Sequence, residues 1–341
     1  MRSCLPAALT IALAITGCLP LPHATSAPTE IWTVSSPADS VEELPAGCPA
    51  IVDAWVSLDS ISMRPSPLRV SPTRELAGDR VLCGGQTTGG DSGTRPRKIS
   101  GITSFQGSRY HPETIRAMGE SPDVLFAAAG AIARIGTAGS TRGVMLDFQE
   151  MSGEDLPTLM SVSRAIADSA RALSAAPVGM IIPATDTSSY PGRILGRVAD
   201  ILLVKIFPEH GVGNPAGPIV SPAWFTRYLG ARAGDVGVNR IVAGLPADGV
   251  LWTTRGGNRR ISYNDALRLA ESANTPVVRD PASGNLHAVS TRDGWELWVS
   301  DHELILRLIA EGRRIGVTRF ALFGLAGADE KLWQSLPPPV R

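Results

Sequence analysis

The sequence predicts an α/β fold of the (β/α)8 or TIM barrel type, with a small β-rich insertion before the last helix and strand. Three observations predict it: about eight short apolar segments recur, helical segments separate them, and most of the apolar segments are uninterrupted. Uninterrupted hydrophobic strands are typical of parallel sheets that are covered on both faces. A doubly wound sheet is the alternative, but no glycine-rich nucleotide-binding pattern follows the first predicted strand.

The predicted strands begin at Ile51. In chain order they are IVDAWVSL, RVLCG, KISGITSF, GVMLDFQ, PVGMIIPA, ADILLVKI, NRIVAGLP and VTRFALFG. Between them, residues 154–173 and 301–314 have helical periodicity, with acidic residues in the first turn of each. Residues 247–300 are long for a connection in a barrel and contain short β-like pieces. They are therefore predicted to form the inserted subdomain.

The composition excludes several classes of partner. The chain of 341 residues has 43% hydrophobic and 19% charged residues, which is typical of a globular protein with a sizeable core. Its formal net charge is zero, so no electrostatic attraction to nucleic acid is expected. The sequence shows no nucleotide-binding pattern and no cluster of metal-ligating residues. No cofactor and no metal are predicted.

The first residues are typical of an export signal. Arg2 supplies a positive charge, and the apolar run LPAALTIALAI is too short to cross a bilayer as a helix. The sequence ITGC then ends at Cys18 and matches the lipobox of bacterial lipoproteins, in which this cysteine carries the lipid. A second small-residue cleavage pattern, ATSA, ends at Ala27. The prediction is a lipoprotein of the bacterial cell envelope, attached to the membrane only through Cys18, or a secreted protein.

This segment also sets the predicted domain boundaries. Residues 1–17 are the predicted signal peptide, and residues 18–49 are a predicted tether because they are rich in Pro, Ser, Ala and Thr. Residues 50–341 are the predicted barrel.

Two of the four cysteines remain for the folded domain. Cys48 and Cys83 form an even pair in an oxidising compartment, so a disulfide between them is predicted. A metal site is the alternative, but neither cysteine has a histidine or a further cysteine close to it in the sequence.

The segment RGVMLDFQEM, residues 142–151, predicts the centre of a functional site. Sites in such barrels form at the carboxyl ends of the strands. Strand alternation places Met145, Asp147 and Gln149 on one face. Burying a lone carboxylate is costly, so Asp147 needs a partner or a wet pocket, and a structural Asp bound by backbone is the alternative. Glu150 points away from Asp147 unless the chain turns after the strand.

The same segment resembles the fourth strand of glycoside hydrolase family 18, the chitinase-like barrels, whose motif reads D-G-x-D-x-D-x-E. Gly143, Asp147 and Phe148 match its degenerate form, and Gln149 stands where the family has its general acid. The weaker matches keep the family's order: ITSFQGSRYHPETIR, LLVKIFPEHG, NPAGPIVSPAWF, RIVAGLPADGVLW, GWELWVSDHELILRLI and GVTRFALFGLAGADEKLW. The resemblance covers about residues 51–335 and implies a divergent member with a degenerate catalytic motif.

The resemblance implies a mechanism from which this sequence departs. In the family, the Glu protonates the glycosidic oxygen, the N-acetyl carbonyl of the substrate attacks the anomeric carbon, and the Asp at the position of Asp147 orients the acetamide. Gln149 cannot donate a proton in this way near neutral pH. Phe207 replaces a Tyr that hydrogen-bonds the acetamide. Lys205 stands at a Met position, where it either pairs with Asp147 or binds an anionic sugar.

The remaining candidate substrate-binding residues come from the same matches. Asp248 replaces an aromatic residue of the seventh strand, and Phe323 replaces the Trp beneath the sugar. Trp252 is a candidate for stacking on a sugar ring. Glu209 and His210 follow the sixth strand, either as an acid–base pair or as charged residues that face solvent.

The function predicted from these residues is binding of a polysaccharide that contains N-acetylglucosamine, such as peptidoglycan or chitin, with hydrolysis lost. One alternative is an active or residual glycosidase that uses Glu150 as its acid. A second alternative is a structural envelope lipoprotein that holds a protein partner. The sequence does not predict the oligomeric state.

Overall fold

The computed structural model describes residues 29–37, 44–45, 48, 50–70, 73–74, 97–139, 141–173 and 176–336. The predicted signal peptide, Cys18, Cys83 and the predicted strand RVLCG lie outside these residues. Within the described ranges, no helix is both long and apolar enough to cross a membrane.

The strands and helices alternate along most of the chain. The strands are β1 (Glu30–Val34), β2 (Leu44–Pro45), β3 (Ala50–Leu58), β4 (Pro65–Val70), β5 (Thr73–Arg74), β6 (Arg97–Thr103), β7 (Phe105–Gln106), β8 (Arg109–Tyr110), β9 (Thr141–Asp147), β10 (Val178–Pro183), β11 (Ile201–Lys205), β12 (Ile241–Pro246), β13 (Asp248–Thr253), β14 (Arg259–Ser262), β15 (Val278–Arg279), β16 (Leu286–Ser290), β17 (Trp295–Val299) and β18 (Arg319–Phe323). The helices are α1 (Pro112–Glu120), α2 (Pro122–Ile135), α3 (Leu156–Leu173), α4 (Gly192–Leu195), α5 (Pro222–Val236), α6 (Tyr263–Ser272), α7 (His302–Ile315) and α8 (Lys331–Ser335).

Eight parallel strands form a closed barrel. Their order around the barrel is the chain order, β1, β3, β6, β9, β10, β11, β12 and β18, and β1 closes the ring by pairing with both β18 and β3. The predicted barrel is therefore confirmed. The two predicted helices are also present, as α3, which a short 3-10 turn at Gly153–Asp155 precedes, and as α7.

The first barrel strand differs from the prediction. β1 lies inside the stretch that was interpreted as a tether, and it supplies the eighth barrel strand although RVLCG was expected to be among the eight. Its sequence EIWTV is only five residues long and lies among Pro, Ser and Thr residues. The composition of the segment therefore did not predict a strand. Ile31, Trp32 and Val34 are fully buried, and parallel pairing on both sides makes β1 part of the barrel wall. The barrel domain therefore begins before residue 50.

Strand alternation divides the core into two layers. An inner cluster consists only of strand residues, among them Trp32, Met145 and Leu203, and fills the barrel. Trp55 lies across Gly101, where a Cβ atom would come within 2.3 Å of the indole ring, so only glycine leaves room for it. An outer cluster joins the other face of the strands to the helices. The barrel is thus a packed core, and ligands can reach it only at its ends.

The insertion is a separate antiparallel sheet between β12 and α7. Its strand order is β14, β13, β17, β16, β15, and α6 covers one face of it. The predicted β-rich insertion at residues 247–300 is confirmed. Cys48, which precedes β3, is disulfide-bonded and fully buried. Its pairing with Cys83 stays a prediction.

Asp155 fixes the chain between β9 and α3. Its carboxylate accepts hydrogen bonds from the backbone N–H and hydroxyl of Ser152, at 2.8 Å each. It also accepts two from Arg116 of α1, at 2.6 and 2.8 Å. The segment that follows the predicted site strand is therefore attached to the helix layer.

We expect Asp155→Asn to lower the free energy of unfolding by about 1–3 kcal/mol at neutral pH. The hydrogen bond from Arg116, followed by those from Ser152, holds the pKa of Asp155 below its ordinary value of 3.8. Such a carboxylate stabilises the fold above the unfolded-state pKa, and this contribution is lost as pH falls through the lower folded-state pKa. Urea unfolding should show a constant wild-type advantage near neutral pH that shrinks below pH 3.8. An advantage that keeps its full neutral-pH size down to about pH 2 would contradict this assignment.

Candidate functional site

The carboxyl ends of three barrel strands bring predicted site residues together. Asp147 ends β9, Lys205 ends β11 and Phe323 ends β18. Each follows a residue of the inner cluster by two positions, and Phe323 is itself a member. Because side chains alternate along a strand, all three point to the inside of the barrel at its carboxyl end.

Asp147 is the centre of a hydrogen-bond network. It is 2% exposed, and each of its carboxylate oxygens accepts a hydrogen bond of 2.8 Å. The Tyr110 hydroxyl donates to Oδ2, and the Gln149 amide donates to Oδ1. Gln149 Nε2 also donates to the carbonyl oxygen of Ile181, at 2.9 Å. The Gln149 side chain is therefore held in one orientation beside the carboxylate.

Burial and the neighbouring positive charge have opposite effects on the pKa of Asp147. Burial raises the pKa of Asp147 above its ordinary value, while the positive charge of Lys205 and the two hydrogen bonds act to lower it. Burial and the Asp147 charge raise the pKa of Tyr110 far above its ordinary value, so the phenol stays protonated. Tyr110 is thus a permanent hydrogen-bond donor to Asp147, and neither it nor Gln149 can supply a proton near neutral pH.

Glu150 lies beyond the end of β9 in an unusual backbone conformation. It is exposed, and its φ is 63°, which is uncommon for a residue with a side chain. The Tyr190 hydroxyl donates to the carbonyl oxygen of Phe148 at 2.8 Å and accepts from the N–H of Met151 at 3.0 Å. It therefore bridges the backbone on both sides of Gln149 and Glu150. This bridge fixes the turn that carries Glu150 at the mouth of the barrel.

Arg232 forms hydrogen bonds to the loop that carries Tyr190. This side chain of α5 is fully buried, and its guanidinium donates to four carbonyl oxygens at the end of β10 and in the β10–α4 connection. The four acceptors are Pro183 at 2.5 Å, Ala184 at 3.1 Å, Asp186 at 2.7 Å and Tyr190 at 2.7 Å. Asp235 Oδ2 lies 3.4 Å from Arg232 Nη1. A buried cation thus holds the loop that carries Tyr190.

We expect Tyr190→Phe to destabilise the fold by about 1–3 kcal/mol, because it leaves the buried carbonyl of Phe148 and N–H of Met151 without their partner. The change removes only one oxygen atom, so packing is retained. Chemical denaturation would measure the cost. Tyr228→Phe, on the partly exposed face of α5, is the matched control and should cost less than about 0.5 kcal/mol. Equal effects of the two changes would show that the bridge does not stabilise the turn.

Two phenylalanines form an aromatic wall beside Lys205. The Phe207 and Phe323 rings meet edge to face with centroids 5.3 Å apart. Lys205 Nζ lies 5.4 Å from the Phe207 centroid and 5.9 Å from that of Phe323. Phe323 is 4% exposed, whereas Phe207 and Lys205 are partly exposed. The structure therefore brings together Asp147, Gln149, Lys205, Phe207 and Phe323.

Glu209 and His210 each contact a backbone group of the segment that joins β11 to α5. Glu209 Oε2 accepts from the N–H of Ser221, the N-cap of α5, at 2.7 Å. His210 Nδ1 lies 3.1 Å from the carbonyl oxygen of Pro215. Both side chains thus hold the β11–α5 loop, and the hypothesis that they form an acid–base pair has no support in these contacts.

Asp248 and Trp252 lie on β13, at the insertion. Asp248 is 7% exposed and forms an ion pair with Arg260, with contacts of 2.5 and 2.6 Å. Trp252 is also 7% exposed, and its indole N–H donates to the carbonyl oxygen of Asn214 at 2.9 Å. Its ring packs with Ile219, and Phe207 packs against the same cluster. Trp252 therefore lies next to the aromatic wall without belonging to the Asp147 network.

One group of potential metal ligands occurs among the described residues. Asp301, His302 and Asp329 have ligand atoms within 4.8 Å of one another. However, Asp301 pairs with Arg279 through both oxygens, at 3.1 and 2.5 Å, and His302 Nδ1 contacts Asp329 at 2.5 Å. Arg279 and the contact between His302 and Asp329 therefore supply hydrogen-bond partners for these side chains without a metal ion.

Sequence reasoning missed Tyr110 and Tyr190. Tyr110 reaches Asp147 because β7 and β8 form a hairpin that folds over the end of β6. The stretch that contains Tyr110 resembles the family, but a two-residue strand has no periodicity that would predict which way its side chains point. Tyr190 lies in a loop that carries no sequence pattern, and its role follows from its 2% exposure and from its hydrogen bonds to Phe148 and Met151.

The closed parallel barrel with an antiparallel insertion is a fold that solved chitinase structures share. The structure is similar to a chitinase from Chromobacterium violaceum, with a TM-score of 0.71 and 14% identity over 90% of this chain and 98% of that one. It is also similar to a class V chitinase from Nicotiana tobaccum, solved as a Glu-to-Gln variant in complex with NAG4. Here the TM-score is 0.68, with 13% identity over 91% and 97% of the chains.

In sequence, the chain is 18% identical over 206 residues to an uncharacterized glycosylase, YvbX, from Bacillus subtilis. The match spans 57% of this chain and 60% of that relative. No protein-family model matches the chain. At these identities the comparisons establish the fold, and the predicted resemblance to chitinase-like barrels is confirmed at that level.

Proposed function

We propose that the protein binds a polysaccharide containing N-acetylglucosamine, such as chitin or peptidoglycan, at the carboxyl end of the barrel and does not hydrolyse it efficiently. The observation that carries the proposal is the amide of Gln149, hydrogen-bonded to Asp147 at 2.8 Å where a glycosidase needs a carboxylic acid. An amide keeps the hydrogen bond and the shape of a protonated Glu but has no proton to give to a leaving group.

The resemblance to family 18 gives each neighbouring residue a role. Asp147 would orient the acetamide, and the rings of Phe207 and Phe323 would pack against the apolar face of the sugar. Phe207 has no hydroxyl, so a second contact of the family's mechanism is also missing. The groups that would bind the sugar therefore remain. The acid that would act on the leaving group is replaced by Gln149, and the hydroxyl that would contact the acetamide is lost at Phe207.

The class V chitinase from Nicotiana tobaccum supports this division between binding and catalysis. That chitinase holds NAG4 as a Glu-to-Gln variant. A barrel of the same fold therefore keeps a saccharide when one Glu becomes Gln. Gln149 gives the present chain such a residue in its natural sequence.

A residual glycosidase that uses Glu150 is the second candidate. It has specific support because Glu150 is exposed and lies in the turn that follows β9, where its φ is 63°. In this case wild-type hydrolysis would be slow and would be lost in Glu150→Gln.

We also propose that the protein is exported, with Cys18 as its lipid attachment site or with cleavage near Ala27. The disulfide-bonded Cys48 supports an oxidising compartment. A Cys18→Ser variant should leave the membrane fraction for the soluble exported fraction. Unchanged membrane association would contradict lipid attachment at this residue.

Calorimetric titration with NAG4, with analysis of the recovered sugar, tests the proposed binding. Wild type should bind NAG4 and return it intact, and Gln149→Ala should weaken binding at least about tenfold, which corresponds to 1.4 kcal/mol. Arg142→Ala, an exposed change at the opposite end of β9, is the matched control and should bind normally. Absence of binding by wild type, together with no retention on insoluble chitin or peptidoglycan, would overturn the proposal.

A further inference from the structure

The amino ends of the barrel strands carry an excess of positive charge. Within the described ranges, the first two residues of the eight barrel strands and the four residues before each strand include six basic and two acidic side chains. Because the strands are parallel, all of these residues lie at the end of the barrel opposite to the Asp147 network. The formal net charge of the chain is zero, so this end is a local concentration of positive charge. The basic residues are Arg97, Lys98, Arg142, Arg197, Arg240 and Arg319, and the acidic ones are Glu30 and Asp200.

Four of these basic side chains are exposed: Arg97, Arg142, Arg197 and Arg240. Arg142 donates to the carbonyl oxygens of Gly139 and Thr141, at 3.1 and 2.9 Å, and Arg240 donates to that of Gly196. Among the described residues, none of the four forms an ion pair with a carboxylate. Their charges are therefore available to a partner of opposite charge.

Two of the positive charges at this end repel each other. Arg319 begins β18, is paired in register with Glu30 of β1, and donates to the carbonyl oxygen of Asn239. Burial lowers the pKa of Arg319, the charge of Glu30 acts to raise it, and the positive charge of Arg97 acts to lower it further. An anion placed at this end of the barrel would reduce the repulsion between the two guanidinium groups.

Compensation of helix dipoles does not explain these charges. Each barrel helix returns the chain to the amino ends of the strands, and basic residues in its last turn stabilise it. Arg134 of α2, Arg171 of α3 and Arg314 of α7 are of this kind. Arg171 also pairs with Asp200, at 3.1 Å, so one of the two acidic residues at this end is already engaged. Strands have only small dipoles, so the arginines at the strand starts are not needed for this purpose.

The chain enters the barrel at the same end. β1 begins at Glu30, and the proposed lipid attachment site Cys18 precedes Thr29 by 11 residues. A segment of this length spans at most about 40 Å when it is fully extended. A lipid on Cys18 would therefore keep the amino end of the barrel near the membrane. Anionic phospholipid headgroups attract basic residues that come within a Debye length of the membrane surface.

From these observations we propose that the amino end of the barrel is a membrane-docking surface for anionic phospholipid, formed by Arg97, Arg142, Arg197, Arg240 and Arg319. Guanidinium groups of this surface donate hydrogen bonds to headgroup phosphates. Docking adds to the attachment through Cys18 and turns the barrel mouth away from the membrane. The attachment through Cys18 rests on the proposed export, whereas the affinity of this surface for anionic lipid depends neither on export nor on saccharide binding.

Co-sedimentation with vesicles tests the docking surface. The chain from Leu19 to Arg341 contains every described residue and lacks the attachment cysteine, so any binding is due to the protein surface. It should sediment with vesicles of phosphatidylglycerol and phosphatidylcholine in equal parts, and not with phosphatidylcholine alone. Binding should weaken at least tenfold when salt is raised from about 0.1 M to about 1 M, because the Debye length shortens from about 10 to about 3 Å. Absence of binding to the anionic vesicles would overturn the inference, and so would equally tight binding to soluble polyphosphate.

Two triple variants with the same change of charge locate the surface. The combination of Arg97→Gln, Arg142→Gln and Arg197→Gln should weaken vesicle binding at least about tenfold, because each basic residue near an anionic membrane adds to the attraction.

The matched control replaces three exposed arginines of the insertion, at the other end of the barrel, and should bind vesicles like the unmodified chain. Its changes are Arg255→Gln, Arg259→Gln and Arg292→Gln. Equal weakening by both triple variants would contradict a docking surface at the amino end. Vesicle binding by a chain that does not bind NAG4 would overturn the proposed function and leave the docking surface standing.

Discussion

Gln149→Glu should raise the rate of NAG4 hydrolysis about 10²–10⁴-fold above that of wild type, the usual contribution of a general acid. The structure supplies the reason. A Glu in the orientation of Gln149 would have a carboxyl oxygen near the 2.8 Å position that Nε2 now occupies beside Asp147 Oδ1. Two carboxyl groups at this distance cannot both ionise, so they share a proton and one pKa is raised. The new Glu would then be protonated near neutral pH, as an acid must be.

Two variants make this result interpretable. Gln149→Met is the control for a change at the same site without an acid, and it should show no gain. Gln149→Glu combined with Glu150→Gln should keep the gained activity, because the acid is residue 149. Loss of the activity in that double variant would assign catalysis to Glu150. If Gln149→Glu binds NAG4 but cleaves it no faster than wild type, the missing proton donor is not what prevents hydrolysis.

Arg232→Met should destabilise the protein by about 3–5 kcal/mol, the usual cost of removing one partner from a buried charged network. Four carbonyl oxygens, at the end of β10 and in the β10–α4 connection, would lose their donor, and Asp235 would lose its cation. Since the loop carries Tyr190, the turn at Glu150 should loosen as well. Guanidinium unfolding would measure the first effect, and hydrogen exchange at the Met151 amide the second.

Arg227→Met is the matched control for Arg232→Met. Arg227 lies on the same helix but is exposed, with its guanidinium 5.4 Å from the Tyr228 ring centroid. Its replacement should change the free energy of unfolding by less than about 0.5 kcal/mol. A similar loss in both variants would mean that the helix, and not the buried guanidinium, determines the effect.

Much of the barrel could be predicted because its strands are continuous hydrophobic runs. GVMLDFQ and ADILLVKI became β9 and β11, and alternation from Met145 correctly places Asp147 inside the barrel. The helices α3 and α7 could be predicted because their apolar residues recur with helical periodicity. β1 was not predicted, because five residues among prolines and serines are too few to show a hydrophobic pattern. Its pairing with β18 and β3 identifies it as a strand of the barrel.

The site could be predicted only in part, because contacts from distant segments complete it. Asp147 and Gln149 are two residues apart and were paired by alternation, and the structure joins them at 2.8 Å. Tyr110 is separated from Asp147 by 37 residues and reaches it through a hairpin. Glu209 and His210 look like an acid–base pair as neighbours in sequence, yet their contacts go to Ser221 and Pro215. Contacts between distant segments therefore complete the site in a way that neighbouring residues in the sequence do not show.

The most direct test of the central claim is one experiment on wild-type protein: titration with NAG4 by calorimetry, followed by mass analysis of the sugar after overnight incubation. Because Gln149 keeps the binding geometry and lacks a proton to give, saturable binding with NAG4 recovered intact is the predicted result. Clear cleavage of NAG4 by wild type, abolished by Glu150→Gln, would contradict the account and make the protein an active glycosidase.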